Sequence, residues 1–211
     1  MLIDISLMKH YLNITNVRGI FHIGANTCQE LSLYTNDFNI PRDNIIWVEA
    51  IPRIVEEMKN KGIRTIYQAV LDETPGEITL NVTSNNGESA SILELNTHKV
   101  YYPTIKVVEK LHLKSQTLSN FIKTNHINKD NLDFLVMDIQ GAELRVLRGS
   151  PDMLDHVKMI CTEINAEELY HGAGLFKDLK NFLELHDFTC VSHVINNEKW
   201  GDALFIKNKY I

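Results

Sequence analysis

Residues 17–26, VRGIFHIGAN, constrain this chain more than any other stretch. The apolar run Ile20 to Ile23 has the length of a buried strand and breaks into Gly24, Ala25 and Asn26. From Thr27 to about Asn36 the spacing predicts a helix with Leu31 and Leu33 on its apolar side. A strand that ends in a turn of small residues before a helix brings backbone N–H groups to one point, which is how α/β proteins build pockets for nucleotides and anions.

The pattern continues downstream. Asn44 to Glu49 reads as a second buried strand, and Pro52 sits in the first turn of a helix, where its missing N–H is harmless. Val55 and Met58 supply that helix's apolar side, Lys61-Gly62 ends it, and Arg64 to Val70 reads as a third strand. Strand, helix, strand, helix, strand at ordinary crossover lengths predicts a parallel sheet with right-handed connections.

The middle is less regular, and residues 76–116 read as an insertion that walls the pocket. It holds a strand over Glu77–Val82, a polar loop over Thr83–Ser89, a flexible 96–105 segment around Tyr101-Tyr102-Pro103 and a strand-like run over Lys106–Leu113. A helix over Leu118–Ile127 leads into the strongly apolar strand Leu132–Met137, ended by Asp138. A short helix from Gly141 to Leu147, a strand over Val157–Ile164 and a helix over Leu175–Leu185 follow. Phe188–Val194 and Ala203–Ile206 are then joined by a turn too short for a helical crossover, which predicts an antiparallel pair. Residues 2–13 read as an amphipathic helix within an N-terminal extension, 1–16, of a single 1–211 domain.

A net charge of -6 with dispersed basic residues argues against a nucleic-acid or anionic-membrane working face. Apolar runs stay far short of the ~20 residues of a membrane span, and the N-terminus lacks a signal-peptide pattern. The odd, widely spaced set Cys28, Cys161 and Cys190 suits a reducing compartment. A cytoplasmic location is expected.

Three carboxylates fall at the carboxyl ends of the expected parallel strands, the edge where open α/β sheets bind ligands: Glu49, Asp138 and Glu163. Glu49, at the end of the strand beside the first, can accept hydrogen bonds from both hydroxyls of a ribose. Asp138, on the other side of the first strand, can meet an amino group or orient a substrate hydroxyl. Glu163 and Asn165 are farther along the edge, as substrate-pocket groups. His22 precedes the glycine turn, as a packing or cofactor-proximal residue. The turn GANTCQ lacks the third glycine of a dinucleotide fingerprint, and no Gly-Lys-Ser/Thr follows, so adenosine without a pyrophosphate fits better. The spacing of Asp138, Glu163 and Asn165 is unlike a compact ligand motif, and no required metal is expected.

Together HIGAN at 22–26, WVEA at 47–50, QAVLD at 68–72, VMDIQGAELRVLRG at 136–149 and TEIN at 162–165 resemble the FkbM family of class I S-adenosylmethionine-dependent methyltransferases, over roughly residues 17–207. The resemblance implies a Rossmann-like, seven-stranded, mostly parallel sheet with helices on both faces and an antiparallel last strand. It also implies S-adenosyl-L-methionine as cofactor and methyl transfer to an oxygen of a sugar or other small hydroxylated acceptor. By carry-over, Gly24 and Asn26 line the methionine and ribose region with His22 and Ala25 beside them. Glu49 holds the ribose, Ala50, Gln68 and Ala69 border the adenine, and Asp138 sits at the cofactor–substrate junction.

An alcohol acceptor needs its proton removed as attack develops, and Asp138, His171 and His193 are the candidates for that base. Glu163, Asn165 and His193 form the expected substrate side. Two positions depart from the family pattern: GAN-x-G carries Cys28 in place of the glycine, and D-V/I-E-G-x-E carries Gln140 in place of the first glutamate. They keep open a noncatalytic binding or scaffolding domain as the main alternative, and a dinucleotide oxidoreductase is disfavoured by the glycine pattern.

Overall fold

A computed structural model of the chain describes residues 2–129 and 132–211. Its centre is β1 (Ile20–Ile23), buried along its whole length. Parallel partners lie on both sides, β2 (Ile45–Glu49) and β7 (Phe134–Met137), with Ile20 opposite both Ile45 and Phe134. The chain runs outward from β1 through β2 to β3 (Ile66–Gln68), then returns to the far side for β7 and β8 (Met159–Asn165). The final hairpin, β9 (Phe188–Ile195) and β10 (Trp200–Lys207), completes the order β3-β2-β1-β7-β8-β10-β9, with β10 antiparallel to both neighbours. Topology reverses between β1 and β7, so the crevice at their carboxyl ends is where a ligand belongs.

Side chains alternate across the sheet. Phe21, Ile23, Leu135 and Met137 form a core on one face with α4 (Leu118–Thr124), α5 (Glu143–Arg148) and α6 (Phe176–Leu185). Ile20, Trp47, Phe134 and Val136 form the other with α1 (Ile5–Thr15) and α2 (Pro52–Asn60). Pro52 opens α2, whose Ile54, Val55 and Met58 are buried as the spacing requires. Among the described residues no helix is long and apolar enough to cross a membrane.

Three local expectations change. The segment after the first turn is not a full helix: only residues 31–37 coil, and Leu33–Asp37 winds wide, with Phe38 N–H donating to the Leu33 carbonyl at 3.0 Å. Asn26 and Cys28 adopt φ of 39° and 52°, left-handed values that interrupt a regular right-handed helix there. The third strand breaks at Ala69. Its continuation β4 (Val70–Leu71) leaves the main sheet and pairs with β6 (Val107–Gln116), which is antiparallel to β5 (Gly76–Thr83) in a second, three-stranded sheet. Finally, residues 96–105 are anchored: α3 (His98–Tyr101) lies there, with Asn96 and His98 N–H groups donating to the Leu169 carbonyl at 2.8 and 3.2 Å.

Candidate active site

A cleft of about 520 Å³ opens at the carboxyl ends of β1, β2 and β7 and is roofed by residues 85–105 of the second-sheet region. Its floor is the first turn. Gly24 has φ of 85°, and a Cβ there would lie 1.7 Å from the Asp138 carbonyl oxygen, so only glycine lets β1 and β7 converge at this point. The turn's N–H groups are not free for an anion. Gly24 and Ala25 donate to the Val48 carbonyl at 2.9 and 3.0 Å, and Asn26 donates to Glu49 Oε2 at 2.7 Å. These internal bonds, as much as the missing third glycine, leave no pyrophosphate cradle.

Glu49 is held at both ends: its Oε1 accepts the Ile51 N–H at 2.8 Å. Each carboxylate oxygen keeps a further lone pair for a ligand hydroxyl. Burial raises its carboxyl above the ordinary range, against the backbone donors that favour the anion. The Asn26 side chain is oriented by its Oδ1, which accepts the Thr27 N–H at 2.8 Å, while its Nδ2 is buried without a partner.

The other wall is built by the turn that follows β7. Gln140 and Gly141 take φ of 57° and 95°, and the Glu143 Oε1 accepts the Ile139 and Gly141 N–H groups at 2.9 and 3.2 Å. Gln140 is thereby aimed across the cleft. Its Nε2 donates to Asp138 Oδ1 at 2.7 Å and to Glu163 Oε2 at 2.6 Å, and its Oε1 accepts from the Tyr170 hydroxyl at 2.5 Å. Desolvation and the nearby Asp138 charge raise the Glu163 carboxyl well above the usual range. Burial pushes Glu143 up to about 7 and also raises Glu30 on the opposite wall.

His22, Gly24, Ala25, Asn26, Glu49, Ala50, Ala69, Asp138 and Glu163 all border the cleft. His22 shares the face of Ile20, bonds the Tyr34 hydroxyl through Nδ1 at 3.0 Å and packs on Trp47; burial lowers it to about 4, so it is neutral. Gln68 stays outside, its exposed side chain donating to the Ala50 carbonyl at 3.1 Å. Asn165 is fully buried at the end of β8 and does not line the cleft. His171 is exposed and outside the lining, and the exposed His193 of β9 packs against Phe176 with its ring tilted, also outside.

The residues that sequence reasoning missed come from the insertion and the loop after β8. His98 and Tyr170 are buried in the cleft wall, their rings 5.4 Å apart, and His98 Nδ1 has no partner. Tyr102 accepts the Trp200 indole N–H at 2.8 Å beside them. The pair Tyr101-Tyr102 marked the segment, but nothing nearby in sequence marked His98 or Tyr170.

The model of the FkbM methyltransferase domain matches residues 22–190. This chain belongs to the FkbM methyltransferase family. The 2-O-methyltransferase NoeI of Sinorhizobium fredii is 22% identical over 142 residues, covering 63% of this chain and 58% of NoeI. The chain thus spans under two thirds of that relative's length. Methyltransferase FkbM from Methylobacillus flagellatus superposes with a TM-score of 0.58 at 14% identity, over 90% of this chain and 44% of that one. A Rossmann-superfamily protein from Streptococcus agalactiae gives 0.50 at 14% identity, over 98% and 69%. These two likenesses establish the fold.

The cofactor of an FkbM domain is S-adenosylmethionine, and the residues fit it. The orphaned Asn26 Nδ2 offers a donor to a carboxylate or hydroxyl, Glu49 offers acceptors to a ribose, and the carboxyl-rich walls suit a sulfonium and an ammonium group. Cys28 does not block the site. Its side chain is buried in the core with Tyr34 and Trp47, and burial pushes its thiol up to about 12, so it is a neutral hydrophobe in a left-handed position where the family has glycine.

Proposed function

We propose that this domain transfers the methyl group of S-adenosylmethionine to a hydroxyl oxygen of a sugar or similar small hydroxylated molecule, with Asp138 receiving the hydroxyl proton. The observation that carries the reading is the Asp138 carboxylate, held by Gln140 at 2.7 Å beside the Gly24 turn and open to the cleft. Family membership and the 2-O-methyltransferase relative support the same chemistry.

When bound, the cofactor supplies an electrophilic methyl on a positively charged sulfur. Glu49 and Asn26 would hold its nucleoside and amino-acid ends. The acceptor lies between that floor and the aromatic wall of His98, Tyr102, Tyr170 and Trp200, where ring faces cover the apolar side of a sugar. Its hydroxyl would donate to Asp138, and the carboxylate would take the proton as the oxygen accepts the methyl group. Burial and the Asp138 charge disfavour the ionised form of Glu163, whose place is beside Gln140, where it helps orient Asp138. The cleft lining holds no lysine or arginine, so it disfavours an anionic reacting group.

Labelled S-adenosylmethionine with a panel of free and glycosidic sugars, amines and thiols tests this. Methyl ethers on a sugar, lost in Asp138→Asn while S-adenosylhomocysteine still binds, are expected. Methylation of amines alone, or full activity in Asp138→Asn, would overturn the reading.

A further inference from the structure

Beside the acidic cleft lies a second depression of opposite charge. It has a volume of about 430 Å³ and gathers Lys99, Lys106 and Lys110 around its mouth with a single carboxylate, Glu94. All three lysines are exposed, and the ion pairs among the described residues involve none of them. A chain of net charge -6 therefore concentrates three uncommitted cations at one place.

The two depressions share a wall. His98, Tyr102 and Ile105 face the cleft, whereas Lys99, Pro103 and Lys106 face the second cavity, and Ile105 borders both. The wall is fixed by the Leu169 bonds described above, by Thr97 Oγ1 donating to the Glu168 carbonyl at 3.0 Å, and by the Trp200–Tyr102 bond. A molecule reaching over Ile105 would place a neutral hydroxyl in the acidic cleft and an anionic group among the lysines. Lysine ammoniums favour phosphate as point charges, and three of them against one carboxylate leave a net positive cavity.

We propose that this second cavity binds the phosphate of a phosphorylated glycosyl acceptor. The inference rests on the sugar hydroxyl reading above and assigns the acceptor its anionic end. A sugar phosphate and a nucleotide sugar present the same chemistry here.

Calorimetric titration of the full chain, saturated with S-adenosylhomocysteine, tests the site with inorganic pyrophosphate as probe at low ionic strength. Saturable binding is expected, about tenfold weaker in Lys99→Gln/Lys106→Gln/Lys110→Gln and weakened by added salt. Because the three positions are exposed, the variant should keep its S-adenosylhomocysteine affinity, which reports that its cofactor site is intact. Parallel titrations with glucose 6-phosphate and UDP-glucose separate the two sources, the better ligand naming the acceptor class. No saturable pyrophosphate binding, or equal affinity in the triple variant, would overturn the site. The titration needs no turnover: anion binding lost in the variant supports the cavity even if only amines are methylated, an outcome that would remove the sugar reading alone.

Discussion

The Tyr170 hydroxyl donates to Gln140 Oε1 at 2.5 Å, and that bond decides which end of the amide meets the two carboxyl groups. A hydroxyl proton satisfies the amide oxygen, so Nε2 must face Asp138 and Glu163. Tyr170→Phe removes the constraint and lets the amide turn over, presenting an oxygen to the base. A hydrogen bond of about 1.4 kcal/mol is at stake, roughly tenfold in rate. We expect kcat to fall by about that factor with the S-adenosylhomocysteine Kd unchanged, by steady-state kinetics beside calorimetry. A change confined to cofactor affinity would show that Tyr170 acts elsewhere.

Glu49 has a different vulnerability. Both oxygens accept backbone N–H groups, from Asn26 and Ile51, and in the proposed site both would also meet the ribose. Glu49→Gln turns one acceptor into a donor facing an N–H, a loss of about 1–3 kcal/mol for a buried unsatisfied group. Cofactor affinity should drop by about tenfold or more, with a lower Tm. Because burial raises the wild-type carboxyl, its cofactor affinity should also decline as pH falls through that raised value, whereas the Gln variant should stay flat. A variant with wild-type affinity would remove Glu49 from the ribose site.

Much of this framework was readable from residue order. IFHI, NIIWVE and LDFLVM are apolar runs bounded by turn chemistry, and their strand identity and parallel order follow from that alone. The closing hairpin followed from the short Asn196-Asn197 turn. Where non-local contacts decide, local pattern failed. The expected helix from Thr27 fails because Asn26 and Cys28 are left-handed, in a turn whose Gly24, Ala25 and Asn26 N–H groups are held by Val48 and Glu49 of a neighbouring strand. Ala69 ends β3 because the following residues pair with β6, more than 40 positions later. His98 and Tyr170 lie 72 residues apart and meet through contacts between their two segments, the Leu169 carbonyl that anchors α3 and the Leu95–Tyr170 bridge among them. Glu49, Asp138 and Glu163 could be placed at one edge because strand ends carry that information, whereas His171 and His193 sit on a loop and an edge strand whose direction no short pattern specifies.

Glu143 makes the stability of the fold pH-dependent. Its carboxyl stands near 7 in the folded protein against 4.5 as a free group, with burial the main cause. An acid whose folded value is raised favours the fold fully below its unfolded value, and that contribution is lost as pH rises through the folded one. The window is therefore pH 4.5 to 7, with at most about 3 kcal/mol across it. Gln at 143 can still accept the Ile139 and Gly141 N–H groups but does not titrate. Denaturant unfolding of both proteins should show the wild type losing stability relative to Glu143→Gln across this window, then a constant difference above it. A difference that rises with pH would contradict the assignment.

Gln140→Glu restores the residue that the family pattern carries here, yet in this cleft it should be harmful. The amide donates to two carboxyl groups 2.7 and 2.6 Å away; an ionised glutamate donates to neither and adds a third acidic group at the same point. Three carboxyls at such distances do not all ionise, so the folded value of the new one is raised. By the same sign, the substitution is tolerated best at low pH and becomes more destabilising as pH rises above about 4.3, the ordinary glutamate value. At low pH its single proton replaces only one of the two amide bonds, so Asp138 or Glu163 loses its donor. Thermal unfolding should show a Tm deficit that widens from pH 5 to pH 8, and kcat relative to wild type should fall over the same interval. A variant as stable and active as wild type at pH 8 would mean that the cleft relaxes to separate the three groups, and that Gln140 does not position Asp138.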